Sequence, residues 1–225
     1  APNILSSGYL LISNSTMSNC KITGLAGKGG GVWASGIAKI INCDIHSNDL
    51  KGIQGGSGGG MITTVYIITD AYGGAILFEG DSLLVDNCRI YDNRKAGGGG
   101  GIAVLGGNAL IKRTSITNCT AADGGAILNK GNTMIENCLI ANNSCYWGGI
   151  FINIDSCATH IKNTTIAHNA NDVVFKHGRF NHYTPNYFKI ENSVIKSSHP
   201  LFGYHGGMIG TDSVNYHPYG QFSII

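Results

Sequence analysis

The apolar residues of this 225-residue chain fall in short runs separated by polar corners, and one phrase keeps returning. In Val85-Asp86-Asn87-Cys88-Arg89-Ile90-Tyr91-Asp92-Asn93 an aliphatic residue is followed by Asn, a small residue, Ile and a second Asn. Stretches 40–48, 135–143 and 161–169 repeat it, and 12–20, 111–119 and 190–198 are worn copies. The central apolar positions are Met17, Ile45, Ile90, Ile116, Ile140, Ile166 and Ile195, at intervals of 28, 45, 26, 24, 26 and 29 residues. The interval of 45 reads as two turns, with a missing anchor near Ile67 or Ile68. A chain of about eight repeats of roughly 22–29 residues is expected, and such a period outranks other sequence signals.

The columns predict what kind of repeat this is. The apolar runs are short and alternate with period two, as strands do, rather than following helical spacing. An Asn recurs between the paired apolar positions (Asn14, Asn42, Asn87, Asn137, Asn163, Asn192), and a second column holds Asn48, Asn93, Asn143 and Asn169, with Cys20 and Cys119 in the odd repeats. Asn accepts left-handed backbone, which suits sharp corners, and stacked amides can bond one another. A third element follows, led by glycine pairs, as in Gly73-Gly74-Ala75-Ile76 and Gly124-Gly125-Ala126-Ile127. Gly30-Gly31-Val32, Gly100-Gly101-Ile102 and Gly148-Gly149-Ile150 are similar. The predicted class is all-β: a single-stranded parallel β-helix of about eight coils with three short strands each. Eight rungs at strand spacing would make a rod roughly 35–40 Å long. One domain over 1–225 is expected, with coils over about 9–198 and an irregular aromatic and His-rich cap over about 199–225.

The residue after the first aliphatic position tests the register independently. It reads Asp86, Lys112, Glu136, Lys162, Glu191, with signs alternating over five repeats. Pointing outward in a parallel stack, these would be direct neighbours, each pair worth under about 1 kcal/mol. The regular alternation favours a structural ladder over a catalytic cluster.

Composition narrows the classes. Only 12% of residues are charged, the net charge is +2, and 34 residues are Gly. No basic block points to nucleic acid, and no apolar run is long enough to span a membrane. The seven cysteines contain no metal-binding CxxC pairing. Cys43, Cys88 and Cys138 share a column with Ser15, Thr114, Thr164 and Ser193, as small core fillers do. Counted as two turns apart, those three are too distant to bridge. Cys145 and Cys157 lie off the columns in one repeat and could pair. No metal or other cofactor is expected.

Candidate chemistry is sparse. The glycine-rich run 52–60 lacks the Lys-Ser/Thr ending and βαβ setting of a phosphate loop. The interval 170–188 holds Phe175, His177, Arg179, Phe180, His182, Tyr183 and Tyr187, an aromatic and basic set that either binds a glycan or packs back on the rod. Four Asn-x-Ser/Thr sequons, at Asn14, Asn118, Asn142 and Asn163, are near chance in a chain so rich in these residues. A polysaccharide lyase or hydrolase is the rival to a non-enzymatic role. It needs clustered carboxylates, and the 13 acidic residues are scattered or alternate with Lys.

The GGAI motifs at 73–76 and 124–127, alternating with IxxN at 45–48, 90–93, 140–143 and 166–169, resemble the GGA[ILV]/FxxN repeat of polymorphic outer-membrane proteins. They also resemble right-handed parallel β-helix repeats more widely. The resemblance spans most of 9–198, with Ile where that family has Phe. It implies a right-handed coil and a secreted or surface-displayed chain, adhesive or architectural in role. Right-handed crossovers are also the rule for parallel strands. The first strand, near Tyr9, has no capping helix ahead of it. The expected partner there is a second copy or a larger parent chain, with a glycan or cell surface as a further candidate.

Overall fold

The computed structural model describes residues 4–23, 29–51, 72–95, 97–146, 149–154, 157–170, 173–177, 186–197, 202–204, 207–209 and 220–224. The chain winds into a parallel β-solenoid whose coils stack in register. Sheet A runs through Ile4–Ser6, Val32–Ala34, Ile76–Phe78, Ile102–Val104, Ile127–Asn129, Gly149–Asn153, Val173–His177 and Phe202–Tyr204, and ends on an antiparallel strand, Gly207–Ile209. Sheet B runs through Tyr9–Ser13, Ile37–Ile41, Ser82–Asp86, Asn108–Lys112, Asn132–Glu136, Ala158–Lys162, Asn186–Glu191 and Gly220–Ile224. Sheet C comprises Thr16–Ser18, Asp44–His46, Arg89–Tyr91, Ser115–Thr117, Leu139–Ala141, Thr165–Ala167 and Val194–Lys196.

Three strands per coil were expected, and the first five coils carry a fourth. Sheet D stacks Lys21–Thr23, Asp49–Lys51, Arg94–Lys95, Thr120–Ala121 and Ser144–Cys145, each directly after the second Asn or Cys column.

The coil count differs only slightly from the expected eight, but the 45-residue interval is wound differently. Ile45 pairs directly with Ile90, and Ile40 with Val85, so the interval of 45 residues is one turn and sheet C has no rung between them for the anchor expected near Ile67 or Ile68. Those two residues, like the glycine run 52–60, lie outside the described residues. The seven anchors Met17, Ile45, Ile90, Ile116, Ile140, Ile166 and Ile195 are successive neighbours in sheet C. Six rungs separate the first anchor from the last, about 29 Å, while the nine strands of sheet A and the eight of sheet B span about 38 and about 34 Å.

The core follows from period two. Inward positions of sheets A, B and C form one cluster that includes Ile40, Ile45, Phe78, Val85, Ile90, Ile111, Ile135, Ile140 and Ile161. Burying a column of such residues contributes roughly 1.5–3 kcal/mol per large aliphatic side chain. Sheet A is buried on its outer side as well, where Leu77, Ala103, Leu128 and Ile152 gather with Ile154 and the partly buried Trp33, Tyr72 and Leu105.

The glycine pairs are explained by closeness and by handedness. Gly73 and Gly124 turn the chain into sheet A at φ of 71° and 61°, where an L side chain is strained. At the following position the coils touch: a Cβ on Gly74 would stand 2.1 Å from the Gly100 carbonyl oxygen, and one on Gly100 2.3 Å from that of Gly125.

Candidate functional surface

The first Asn column forms the corner between sheets B and C. Asn14, Asn42, Asn87, Asn137, Asn163 and Asn192 all have φ between 46° and 54°, and Arg113 takes the same conformation in their place. A surface amide ladder occupies the first three rungs, with Asn42 Nδ2 donating to Asn14 Oδ1 at 3.2 Å and Asn87 Nδ2 to Asn42 Oδ1 at 2.8 Å.

The second column lies inside. Asn48, Asn93 and Asn143 are fully buried and Asn169 nearly so. Asn48 Nδ2 donates to Asn93 Oδ1 at 3.0 Å, and Asn143 Nδ2 to Asn169 Oδ1 at 3.2 Å. Each carbonyl also receives a backbone N–H from the preceding coil: Cys20 on Asn48, Cys119 on Asn143. The left-handed turn is displaced to the residue before, at Asn19, Ser47, Asp92, Asn118, Asn142 and His168. Three of the six are not Asn.

The charged column stacks in register, Asp86 on Lys112, Lys112 on Glu136, Glu136 on Lys162 and Lys162 on Glu191. One ion pair follows that order, Lys112 with Asp86, and the shorter ones do not. Asp86, expected to point outward, is buried. Its Oδ2 takes Arg113 Nη2 at 2.6 Å and Lys112 Nζ at 3.5 Å, while Oδ1 is enclosed with no hydrogen-bond partner among the described residues. Glu191 turns instead to His160 Nε2 at 2.6 Å and Lys189 Nζ at 2.5 Å. Those donors, Lys189 foremost, hold the Glu191 carboxyl below the usual range. A carboxylate so held is an ion-pair acceptor and not a proton donor.

The aromatic and basic set of 170–188 does not assemble as expected. Phe175 is not a loop residue: it lies in a sheet A strand, fully buried, with ring centroids 5.1 Å from Phe151 and 5.1 Å from Phe188. Its column in the core explains the burial. His177 ends the same strand. Tyr187 stands in sheet B, half-buried, beside Ala158 of the coil before. Arg179, Phe180, His182 and Tyr183 lie outside the described residues, as do His199, His205 and His217. Phe175→Ala is expected to cost about 3–5 kcal/mol in a urea titration, the loss of a core aromatic and not of a ligand contact.

Two surface groupings escaped the sequence reading. On sheet B, His160, Lys189, Glu191 and Lys162 share the outer face with Tyr187. On sheet C, Arg89 donates to both Asp44 carboxylate oxygens from one guanidinium edge, Nε to Oδ1 at 2.7 Å and Nη2 to Oδ2. Arg89 holds the Asp44 carboxyl below its ordinary value. Beside them the rings of His46 and Tyr91 stack at 4.6 Å and 9°. The signal for the sheet C grouping was available once Ile45 and Ile90 were taken as adjacent rungs. A third grouping is buried: Asn129, Thr133, Asn153 and Thr159 satisfy one another at the corner between sheets A and B, where coil 3 has Phe78 and Leu83.

Cys145 and Cys157 are thiols, like the other five cysteines. The sheet A strand Gly149–Asn153 runs between them. Among the described residues no three His, Cys, Asp or Glu side chains converge on one point, and no helix is long and apolar enough to cross a membrane.

No curated protein and no solved structure matches the chain. The right-handed β-helix region model matches residues 3–98 and 68–217, without singling out the outer-membrane repeats. Stacked corners, inward Ile columns and this match agree: the chain belongs to the right-handed β-helix family.

Proposed function

We propose that the chain is an extracellular or cell-surface structural or adhesive module that associates through its coil edge. The observation behind this reading is the state of the first coil. Ile4–Ser6, Tyr9–Ser13, Thr16–Ser18 and Lys21–Thr23 each have a neighbouring strand on one side only among the described residues, so all four sheets present an edge together. Leu5, Tyr9 and Leu11 stand there 62%, 62% and 56% exposed. Such an edge offers unpaired backbone donors and acceptors to another coil, from a second copy or a larger parent chain. At the opposite end sheet A finishes on the antiparallel strand Gly207–Ile209, which is itself an edge among the described residues. Light scattering with electron microscopy over a range of concentrations tests this, with assemblies larger than a monomer expected. Leu11→Lys, which places a charge on the edge strand, is expected to shift them toward monomer. A wild-type chain that stays monomeric at every concentration would overturn the reading.

A second reading, polysaccharide binding along the outer faces of sheets B and C, is favoured by the His46–Tyr91 stack beside the Asp44–Arg89 pair. Binding to a glycan panel that falls with Tyr91→Ala supports it, and release of new reducing or unsaturated ends would add turnover.

A further inference from the structure

Because the 45-residue interval is a single turn, two cysteines come together. Ile41 pairs with Asp86 and Asp44 with Arg89, so Cys43 and Cys88 stand on adjacent rungs of one inward column. Two backbone bonds clamp that step: Asn42 N to Asp86 O at 3.0 Å and Arg89 N to Cys43 O at 2.9 Å. One rung is about 4.8 Å, inside the Cα separation a disulfide accepts. The Cys88 sulfur also leans toward the preceding coil, 3.5 Å from the carbonyl oxygen of Ile40. No other two cysteines share this relation. Thr114 stands between Cys88 and Cys138, accepting the Cys88 N–H, and Asn48 and Asn93 stand between Cys20 and Cys119.

We propose that Cys43 and Cys88 are a disulfide-forming pair that ties coil 2 to coil 3 across the 45-residue interval. The oxidant is a small-molecule disulfide such as glutathione disulfide. One thiol loses its proton, and its sulfur attacks the glutathione disulfide, releasing the first glutathione thiolate. The second cysteine, deprotonated in turn, attacks the mixed disulfide at the protein sulfur, forming the Sγ–Sγ bond and releasing the second glutathione thiolate. The two protons end on the two glutathione thiols, so the protein gives up two electrons and the glutathione disulfide takes them. The link closes the longest interval between rungs, where loop closure is most costly. It is independent of the edge association proposed above.

The test compares the folded chain made in an oxidising compartment with one made under reductant, circular dichroism checking the fold of both. Thiols titrated after denaturation are expected to fall from seven to five. Cyanogen bromide cuts after Met17, Met61, Met134 and Met208, placing Cys43 in fragment 18–61 and Cys88 in fragment 62–134. Those fragments should migrate together without reductant and separate with it. Cys43→Ser and Cys88→Ser should each abolish the link while keeping the fold, since Ser15 and Ser193 fill the same column, and Cys138→Ser should leave it intact. Seven titratable thiols in the oxidised folded chain, fragments that separate without reductant, or a link that survives Cys43→Ser would overturn the proposal.

Discussion

Asn143→Ala is expected to lower stability by about 3–5 kcal/mol, against about 1 kcal/mol for Asn137→Ala six residues earlier. The two asparagines look alike in sequence and do different work. Asn137 is an exposed corner at φ 53°, so alanine there meets only the mild strain of a left-handed backbone. Asn143 is fully buried and mediates between coils: its Oδ1 accepts the Cys119 N–H at 3.0 Å and its Nδ2 donates to the Ile116 carbonyl at 2.8 Å. Alanine strands both backbone groups where water cannot replace the amide, at about 1–3 kcal/mol for each. Against a typical total of about 5–15 kcal/mol for a domain this is a large fraction. Urea midpoints of the two variants decide it, and equal shifts would mean that the inner ladder is not what holds successive coils together.

The second large effect is with pH. In the reduced chain, burial pushes the Cys119 thiol up to about 12 and those of Cys88 and Cys138 up to about 11, from 9.0. Below pH 9 these thiols are protonated in both the folded and the unfolded chain, and the stabilisation is fully present. Above it the unfolded chain releases protons that the folded chain retains, so stability falls as pH rises. The loss ends only as the folded thiols themselves ionise. For Cys119 alone it amounts to about 1.4 kcal/mol per pH unit, about 4 kcal/mol across the window. Urea midpoints at pH 8, 9, 10 and 11 with reductant present should fall more steeply for the wild type than for Cys119→Ala. Parallel slopes would show that this thiol does not contribute.

The anchors were legible because Ile45, Ile90, Ile116, Ile140 and Ile166 repeat one residue type facing one core. What failed was the assumption that equal periods mean equal numbers of turns. Hydrogen-bonded register fixes which residues stack, while a corner can admit extra chain at a cost that grows only logarithmically. That single error placed Cys43 and Cys88 two turns apart and hid the contacts of His46 with Tyr91 and Asp44 with Arg89. Burial was hidden for a different reason. The alternating column was readable as neighbours, but sequence does not tell that Arg113, standing where Asn was expected, covers Asp86. Phe175 was misread because its strand, Val173–His177, lacks the glycine pair that announces sheet A elsewhere. Asn129 and Asn153 were missed although they stand 24 residues apart, each two positions past an apolar residue of sheet A.

The stretch 52–71 enters between Lys51 and Tyr72 without shifting a single pairing of sheets A, B and C. A coil's circumference is therefore set by its rungs and not by its residue count. This makes the junction a natural grafting port: a foreign peptide or small domain spliced there would be carried by the rod at a fixed height, with the stack beneath it unchanged.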